Sequence, residues 1–392
     1  MQVNGAEVVN DYGDWLAEHT ALRTTAGVLD LSLRSRICLV GSDRVRFLHG
    51  QVTNDVNRLR LGEGCYAALT TAKGKMESDL NIFCLADELL LDFEPGLTEK
   101  ISRRLEKFIV ADDVQIVDAA PHYGLLAVQG PKAEAVVLGL RLVGKDALPR
   151  VQADRQLGPT IVKIPDATLG EIYLANHSRL QPGRWGETQS SPNQEENSGL
   201  ERLSPHQGNG FDLFVPDSSL AAVADRLIAT SKQIGGRACG WQAFETARIE
   251  AGIPRFGLDM DETNLPLECG IGSRAVSYNK GCYIGQEVIN RIHTLGHVNR
   301  ELRGLRLADD LKSLPQRHDK LFHNGKEIGY ITSAVKSPTL DALVAPKLQN
   351  KGGNIALGYV RREANQIGTE LVLQTAGGES SAKIVELPFV KW

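Results

Sequence analysis

A change of sequence pattern near Asn299 limits the possible folds more than any other feature. Strand and helix patterns alternate before it. After it, the segments are short, rich in β-forming residues and separated by turns: "ELRGLRLAD", "KEIGYITSAV", "NIALGYVRR", "TELVLQTAGG" and "SAKIVELPFV". Such a series predicts a small antiparallel barrel. We therefore expect an α+β chain with a mixed body over residues 1–298 and a C-terminal β-barrel over 299–392.

The body shows clear helix and strand patterns. "WLAEHTALRTT" and "TEKISRRLEKFIV" have helical periodicity, and "SLAAVADRLIATSKQIG" is a helix that a glycine pair should end. "SRICLVG", "YGLLAVQGP" and "FDLFVP" are typical of strands. Residues 178–209 are rich in Pro, Gly, Ser, Asn and Gln, which predicts a mobile insertion.

Composition excludes several classes of protein. The net charge of -4 argues against direct nucleic-acid binding, and no apolar run of about 20 residues suggests a membrane span. The start, "MQVNGAEVVNDYGDW", lacks the pattern of a secretory signal. Six cysteines occur without a C-x-x-C pair, which argues against a metal site within this chain. Reduced thiols in the cytoplasm fit best.

The stretch "SYNKGCYIGQEVINRIHTLG" raises the question of what Cys282 does. Ile284, Val288 and Ile292 form one helical stripe, which would place Cys282 at or before a helix N-terminus. Free backbone amides there and the nearby Lys280 would favour a thiolate. The alternative is a small buried hydrophobic residue. A Cys/His nucleophile with His293 or His297 is disfavoured, because both follow on the same helix.

A second candidate lies in "AKGKMESDLNIF". Asp79 follows a glycine turn at the start of a strand, and Phe83 would share its face. A carboxylate beside an aromatic ring suits a heteroaromatic ligand with N–H groups, such as a pterin. The alternative is a turn-capping aspartate and a core phenylalanine. The dense segment "RIEAGIPRFGLDMDETNLPLECG" is either a wall for a polar ligand or a solvated charged loop.

Several of these segments together resemble the YgfZ-type folate-binding proteins, relatives of the glycine-cleavage T-protein (aminomethyltransferase). They are "FLHGQVTNDV", "AKGKMESDLNIF", "ARIEAGIPRFGLDMDETNLPLECG", "KGCYIGQEV" and "VNRELRGL". The string K-G-C-Y-x-G-Q-E is the specific signal for the YgfZ branch. The resemblance covers most of the chain, including the C-terminal segments.

The resemblance implies two interleaved α/β lobes around a central tetrahydrofolate cavity, closed on one side by the barrel. It implies support of iron–sulfur cluster assembly or repair, including for enzymes that modify tRNA. The partners would be a folate and the iron–sulfur assembly machinery or its client proteins. Cys282 would be the functional thiol.

The resemblance also carries over individual residues. Asp79 matches the catalytic aspartate of T-proteins, and Phe83 and Phe256 match aromatic residues that line the folate cavity. Arg248 matches an arginine near the folate tail, and Phe244 falls where some YgfZ proteins have a pocket tryptophan. An arginine fork would suit a folate carboxylate.

Two departures bear on function. T-proteins have a glutamate in a Y-T-G-E-D-G-type turn, where this chain has Asn209 in "HQGNGFDLF", and two adjacent acids where it has Ser78 and Asp79. Three functions stay open: folate-dependent iron–sulfur maintenance through Cys282, folate-dependent aminomethyl or methyl transfer through Asp79, and a thiol-dependent redox or scaffold protein.

Overall fold

The computed structural model describes residues 1–142, 148, 159–180, 210–338 and 352–390. Residues 181–209 of the predicted insertion lie outside these ranges, so its mobility stays a prediction. In the part of the chain so described, no helix combines the length and apolar character needed to cross a membrane.

Strands and helices alternate up to residue 295, and strands dominate afterwards. The strands are β1 Gln2–Val3, β2 Ala6–Glu7, β3 Gly27–Asp30, β4 Ser35–Val40, β5 Gly64–Thr70, β6 Met76–Cys84, β7 Glu88–Phe93, β8 Gln115–Asp118, β9 Tyr123–Gln129, β10 Thr160–Asp166, β11 Gly170–Asn176, β12 Gly210–Pro216, β13 Arg237–Ala238, β14 Arg300–Leu307, β15 Lys320–His323, β16 Lys326–Ser337, β17 Gly353–Arg361, β18 Glu370–Thr375 and β19 Gly378–Val385. The helices are α1 Trp15–Thr24, α2 Arg44–Gln51, α3 Thr98–Glu106, α4 Ala133–Gly139, α5 Asp217–Gln233, α6 Trp241–Glu250, α7 Gly272–Ala275 and α8 Gln286–Leu295.

The body consists of two α/β lobes that are interleaved along the chain. The first lobe has a six-stranded sheet of order β10-β11-β12-β9-β3-β13, and the second has a five-stranded sheet of order β5-β6-β7-β4-β8. Strand β3 enters the first sheet before any strand of the second sheet forms, and the chain returns to the first sheet at β9. The predicted interleaved architecture is therefore confirmed.

Helix α5 has the periodicity and the glycine stop that its sequence predicts. Its buried residues Val223, Leu227 and Ser231 recur every four positions, as one face of a helix requires. Gly235, just beyond the helix, has a left-handed backbone with φ of 83°, which a residue with a side chain rarely adopts. The predicted glycine stop lies where the chain leaves this helix.

The C-terminal region forms a closed antiparallel barrel of order β14-β17-β16-β15-β18-β19, with β19 paired back to β14. Fully buried Leu305, Leu321, Ile331 and Leu373 help to fill its interior. The predicted α+β fold class with a terminal barrel is confirmed. Residue patterns alone did not identify the short strands β8 and β15 or the hairpin β10–β11.

Candidate functional site

The side chains of strand β6 alternate between an apolar face and a face that includes polar residues. Leu80 and Ile82 are fully buried in the core of the second lobe. Asp79, Asn81 and Phe83 alternate with them and point to the opposite side, where Phe83 joins an apolar cluster with members from both lobes. The polar face of β6 therefore looks toward the junction between the two lobes.

Asp79 has one satisfied and one free carboxylate oxygen. Tyr66 Oη, on the neighbouring strand β5, donates a hydrogen bond to Asp79 Oδ2 at 2.8 Å. Asp79 Oδ1 is buried and has no hydrogen-bond partner. Burial, and then the negative charge of Glu94, raise the pKa of Asp79 to about 6, while Tyr66 and Arg34 oppose the rise. A buried acceptor without a donor can receive a hydrogen bond from a ligand.

Two charged side chains, Glu94 and Arg34, act electrostatically on Asp79, and further charged residues pair with them. Arg34, Arg255 and Glu245 lie deep in the protein, yet their side chains stay 13%, 11% and 19% exposed. We take these residues together with Asp79, whose pKa responds to Glu94 and Arg34, as a candidate polar cleft between the lobes.

A chain of alternating charges fixes the walls of this cleft. Arg34 binds Asp92 and Glu94, each at 2.7 Å, and Arg255 binds Glu94 at 2.9 Å and Glu245 at 3.0 Å. Despite burial, Arg34 holds the pKa of Asp92 well below its usual range, with help from a second arginine. Paired charges of this kind can remain ionised inside a protein.

Arg248 is also part of this charge network. Its two terminal nitrogens donate to Asp259, Glu245, the Ser333 hydroxyl and the Ile253 carbonyl. Its side chain is 1% exposed. The terminal nitrogens are thus engaged by protein acceptors, whereas Nε is buried without a hydrogen-bond partner. The contact with a folate carboxylate stays a prediction.

The three predicted aromatic residues do not form one surface. Phe83 and Phe244 belong to the same apolar cluster, whereas Phe256 packs in another cluster with Met76. Phe244 contacts Trp241, with ring centroids 5.5 Å apart. All three phenylalanines are buried. Their role in folate binding stays a prediction.

Four residues of the cleft were missed by sequence reasoning: Tyr66, Arg34, Glu94 and Trp241. The guanidinium of Arg255 stacks 4.7 Å from the Trp241 ring. Tyr66 could have been found from strand register, because its strand pairs with the one that carries Asp79. The other three had no local signal.

Cys282 is exposed in a loop whose next residue, Tyr283, belongs to the apolar cluster of Phe256, and its surroundings differ from the predicted ones. Helix α8 begins at Gln286, after Gly285 with a left-handed φ of 90°, so Cys282 and Ile284 both precede the helix. The predicted stripe from Ile284 is wrong, because Gly285 breaks the helical periodicity; Ile289 is the fully buried residue of α8.

The position of Lys280 in the sequence predicts that it favours a Cys282 thiolate, but its ammonium is bonded elsewhere. Its ammonium donates to the carbonyls of His49, Val52 and Asn54 at 2.6 to 2.8 Å, which uses all three of its protons. Burial lowers the pKa of Lys280 to about 8. Lys280 therefore anchors the loop rather than pairing with a thiolate.

Among the six cysteines, Cys282 is the exposed one, and the others are buried or half-buried. We therefore expect one thiol per chain to react rapidly with a water-soluble disulfide reagent in the native state, and six after unfolding. Absorbance of the released thiolate counts them, and Cys282→Ser should abolish the rapid reaction. A rapid count of two or more would contradict the burial of the other thiols.

Comparison with known proteins gives consistent matches over the whole chain. Residues 1–155 and 200–280 match the family model described as the GCVT N-terminal domain. Residues 300–346 and 349–391 match the glycine cleavage T-protein C-terminal barrel domain.

The similar curated proteins carry the name aminomethyltransferase. The protein from Geobacillus sp. (strain WCH70) is 28% identical over 398 residues, covering 99% of this chain and 95% of the relative. The protein from Bacillus subtilis (strain 168) is 27% identical, covering 97% and 94%. The crystal structure of glycine cleavage system aminomethyltransferase T from Bartonella henselae has a TM-score of 0.75 at 22% identity, covering 99% of this chain and 93% of that chain.

Proposed function

Because the chain belongs to the glycine cleavage T-protein family, we propose that it binds tetrahydrofolate between its two lobes and transfers an aminomethyl or methyl group with Asp79. The observation that carries this proposal is the state of Asp79. One carboxylate oxygen is held by Tyr66, and the other is buried without a donor. The relatives named aminomethyltransferase support transfer chemistry over the iron–sulfur role.

The residues of the cleft fit a reduced pterin. Asp79 Oδ1 can accept a hydrogen bond from a ring N–H, and the ring of Tyr66 lies beside it. Tetrahydrofolate would supply amine nitrogens that carry the one-carbon unit. Charged residues of both lobes fix the walls, so the carboxylate is oriented before the ligand enters.

Asp79 would act through its negative charge. Its pKa of about 6 leaves the carboxylate mostly ionised at pH 7, where it can stabilise positive charge that develops at the one-carbon centre. Ser78 stands in place of a second acid, so the residue directly before Asp79 is not acidic. Asn209, in place of the T-protein glutamate, lies outside the described residues.

The direct test is incubation of the full chain with tetrahydrofolate and an aminomethyl-loaded lipoyl protein. We expect release of ammonia and formation of methylenetetrahydrofolate. Isothermal calorimetry measures tetrahydrofolate binding separately. Binding without ammonia release would reject aminomethyl transfer, and absence of both would reject the folate site.

The hydrogen bond from Tyr66 gives a pH-dependent prediction. Because this bond favours the ionised form of Asp79, its loss in Tyr66→Phe should raise the pKa of Asp79 above about 6. The acidic limb of the pH–rate profile should then move to higher pH, while Tyr173→Phe, on the first lobe, should leave it in place. An unmoved limb in Tyr66→Phe would show that Asp79 does not control it.

A second candidate function is favoured by the exposure of Cys282. In that function the protein binds tetrahydrofolate and supports iron–sulfur cluster assembly or repair through this thiol, as the K-G-C-Y-x-G-Q-E string suggests. Complementation of a strain that lacks this type of protein separates the two functions. Failure of Cys282→Ala with rescue by Asp79→Ala would favour the iron–sulfur role, and the reverse result would favour transfer.

A further inference from the structure

An open cleft of about 990 Å³ lies where the barrel meets the body. Positive side chains reach it from separate parts of the chain: Lys75 from the turn before β6, Arg300 from the start of β14, and Arg361 and Arg362 from the end of β17. Its volume is in the range of sites that hold small molecules. Asp79 does not line it, so this basic cleft is distinct from the candidate polar cleft between the lobes.

The basic cleft holds more positive than negative charge. The whole chain has a formal net charge of -4, yet four cations and two carboxylates line this cleft. One of the carboxylates, Glu363, is exposed and pairs with Lys326 at 2.7 Å, a cation outside the lining. Glu268 is thus the carboxylate left to balance the four cations of the cleft.

Two of these cations are available to a ligand. Arg361 and Arg362 are exposed, and neither forms an ion pair with a carboxylate in the described part of the chain. The backbone N–H of Arg362 donates to the Asn299 carbonyl at 2.9 Å, which holds this segment against the start of the barrel. An arginine without an acidic partner can offer its fork of N–H donors to an anion.

The other two cations are held in place by the protein. The guanidinium of Arg300 lies 5.1 Å from the Tyr359 ring and donates to the Tyr330 hydroxyl at 3.2 Å. Lys75 Nζ donates to the Thr263 carbonyl at 2.7 Å, which leaves two of its three protons for a ligand. Cations that are ordered before binding lose less conformational freedom when a ligand enters.

We propose that the basic cleft binds a small molecule that carries two or more phosphate groups. A carboxylate is planar and presents its two oxygens along one edge. A phosphate group presents several oxygens in a tetrahedral arrangement, so it can meet cations that approach from both the body and the barrel. Arginine forks and a lysine are the side chains that proteins use for phosphate. The negative net charge of the chain disfavours a nucleic acid as the source of these phosphates.

The test is isothermal calorimetry of the full chain with pyrophosphate as the probe. We expect the wild type to bind one equivalent. Arg361→Gln/Arg362→Gln should bind at least about tenfold more weakly, because charge-assisted hydrogen bonds to the ligand are lost. The matched control is Arg226→Gln/Lys232→Gln, which removes two charges from exposed positions of α5 and should keep the wild-type affinity. No binding to the wild type, or equal affinities of the wild type and Arg361→Gln/Arg362→Gln, would overturn the proposal.

Three further measurements define the site. Both double variants change exposed side chains, so they should unfold at the wild-type urea concentration, and weaker binding then reports the cleft rather than the fold. Citrate, a carboxylate anion, should bind at least about tenfold more weakly than pyrophosphate, and equal binding would overturn the assignment to phosphate. Saturation with tetrahydrofolate should leave the affinity for pyrophosphate unchanged. Competition between the two would place pyrophosphate elsewhere and overturn the proposal.

The outcome does not depend on the proposed transfer reaction. Binding in the basic cleft requires neither Asp79 nor tetrahydrofolate, so Asp79→Asn should bind pyrophosphate like the wild type. A protein that releases no ammonia but binds pyrophosphate would reject aminomethyl transfer and retain the phosphate site. The opposite pair of results would do the reverse.

Discussion

Replacing Asp79 by asparagine should lower the rate of one-carbon transfer by about 10²- to 10³-fold, the range for removing one electrostatic contact to a transition state. Asparagine keeps the shape of the side chain and an oxygen that can accept the bond from Tyr66. It removes the negative charge. We therefore expect kcat to fall while tetrahydrofolate still binds.

The measurement is the rate of ammonia release from an aminomethyl-loaded lipoyl protein, with calorimetry of folate binding alongside. Glu262→Gln is the matched control, because that carboxylate is 58% exposed and pairs with Lys100 at the surface. It should keep the wild-type rate. An Asp79→Asn protein with full activity would remove Asp79 from the catalytic step.

The same substitution should stabilise the fold at neutral pH. The pKa of Asp79 is raised to about 6 from a usual 3.8, so folding favours the protonated form. Protonated Asp79 makes its full contribution to the stability of the fold below about pH 3.8, and this contribution is lost as the pH rises through about 6. Above that pH the wild type holds a buried carboxylate at a cost of roughly 3 kcal/mol.

Urea unfolding at two pH values tests this linkage. The gain in unfolding free energy of Asp79→Asn over wild type should be about 2 kcal/mol larger at pH 7 than at pH 4.5. The pH-independent part of the difference cancels in this comparison. A gain that does not change with pH would mean that the carboxylate titrates near its ordinary value.

Asp259→Ala should lower the free energy of unfolding by about 3–5 kcal/mol, the range for breaking a buried ion pair. Asp259 accepts hydrogen bonds from Arg248 and from the barrel residues Thr332 and Ser333, the latter two at 2.6 Å. Its side chain is fully buried. The alanine leaves the Arg248 guanidinium buried beside the barrel without this partner.

Chemical denaturation measures this loss, and two comparisons test its cause. Glu262→Ala, at the exposed pair with Lys100, should change the free energy by less than about 1 kcal/mol. Adding Arg248→Met to Asp259→Ala should recover part of the loss, because it removes a buried charge that has lost one of its two carboxylate partners. A loss below about 1 kcal/mol in folded Asp259→Ala would show that the pair does not hold the barrel.

Much of the fold could be predicted because local patterns and global packing agree. The four-residue spacing in α5 and the alternation along β6 place the same residues in the core as the structure does. The hairpin β10–β11 was missed, since Pro165 interrupts β10 and polar residues weaken its pattern. The predicted helical stripe wrongly included Ile284, which precedes α8. The spacing of apolar residues gives no sign of the left-handed backbone at Gly285 that comes before the helix.

The sequence by itself determined the chemistry available at each position: a carboxylate at Asp79, a thiol in the glycine-flanked turn at Cys282, and a barrel after Asn299. Only the tertiary structure decided the partners of these groups. Tyr66 reaches Asp79 through strand register, and His49 meets the Cys282 loop across 231 residues of sequence. Such contacts depend on how distant elements pack, and local periodicity carries no information about that packing.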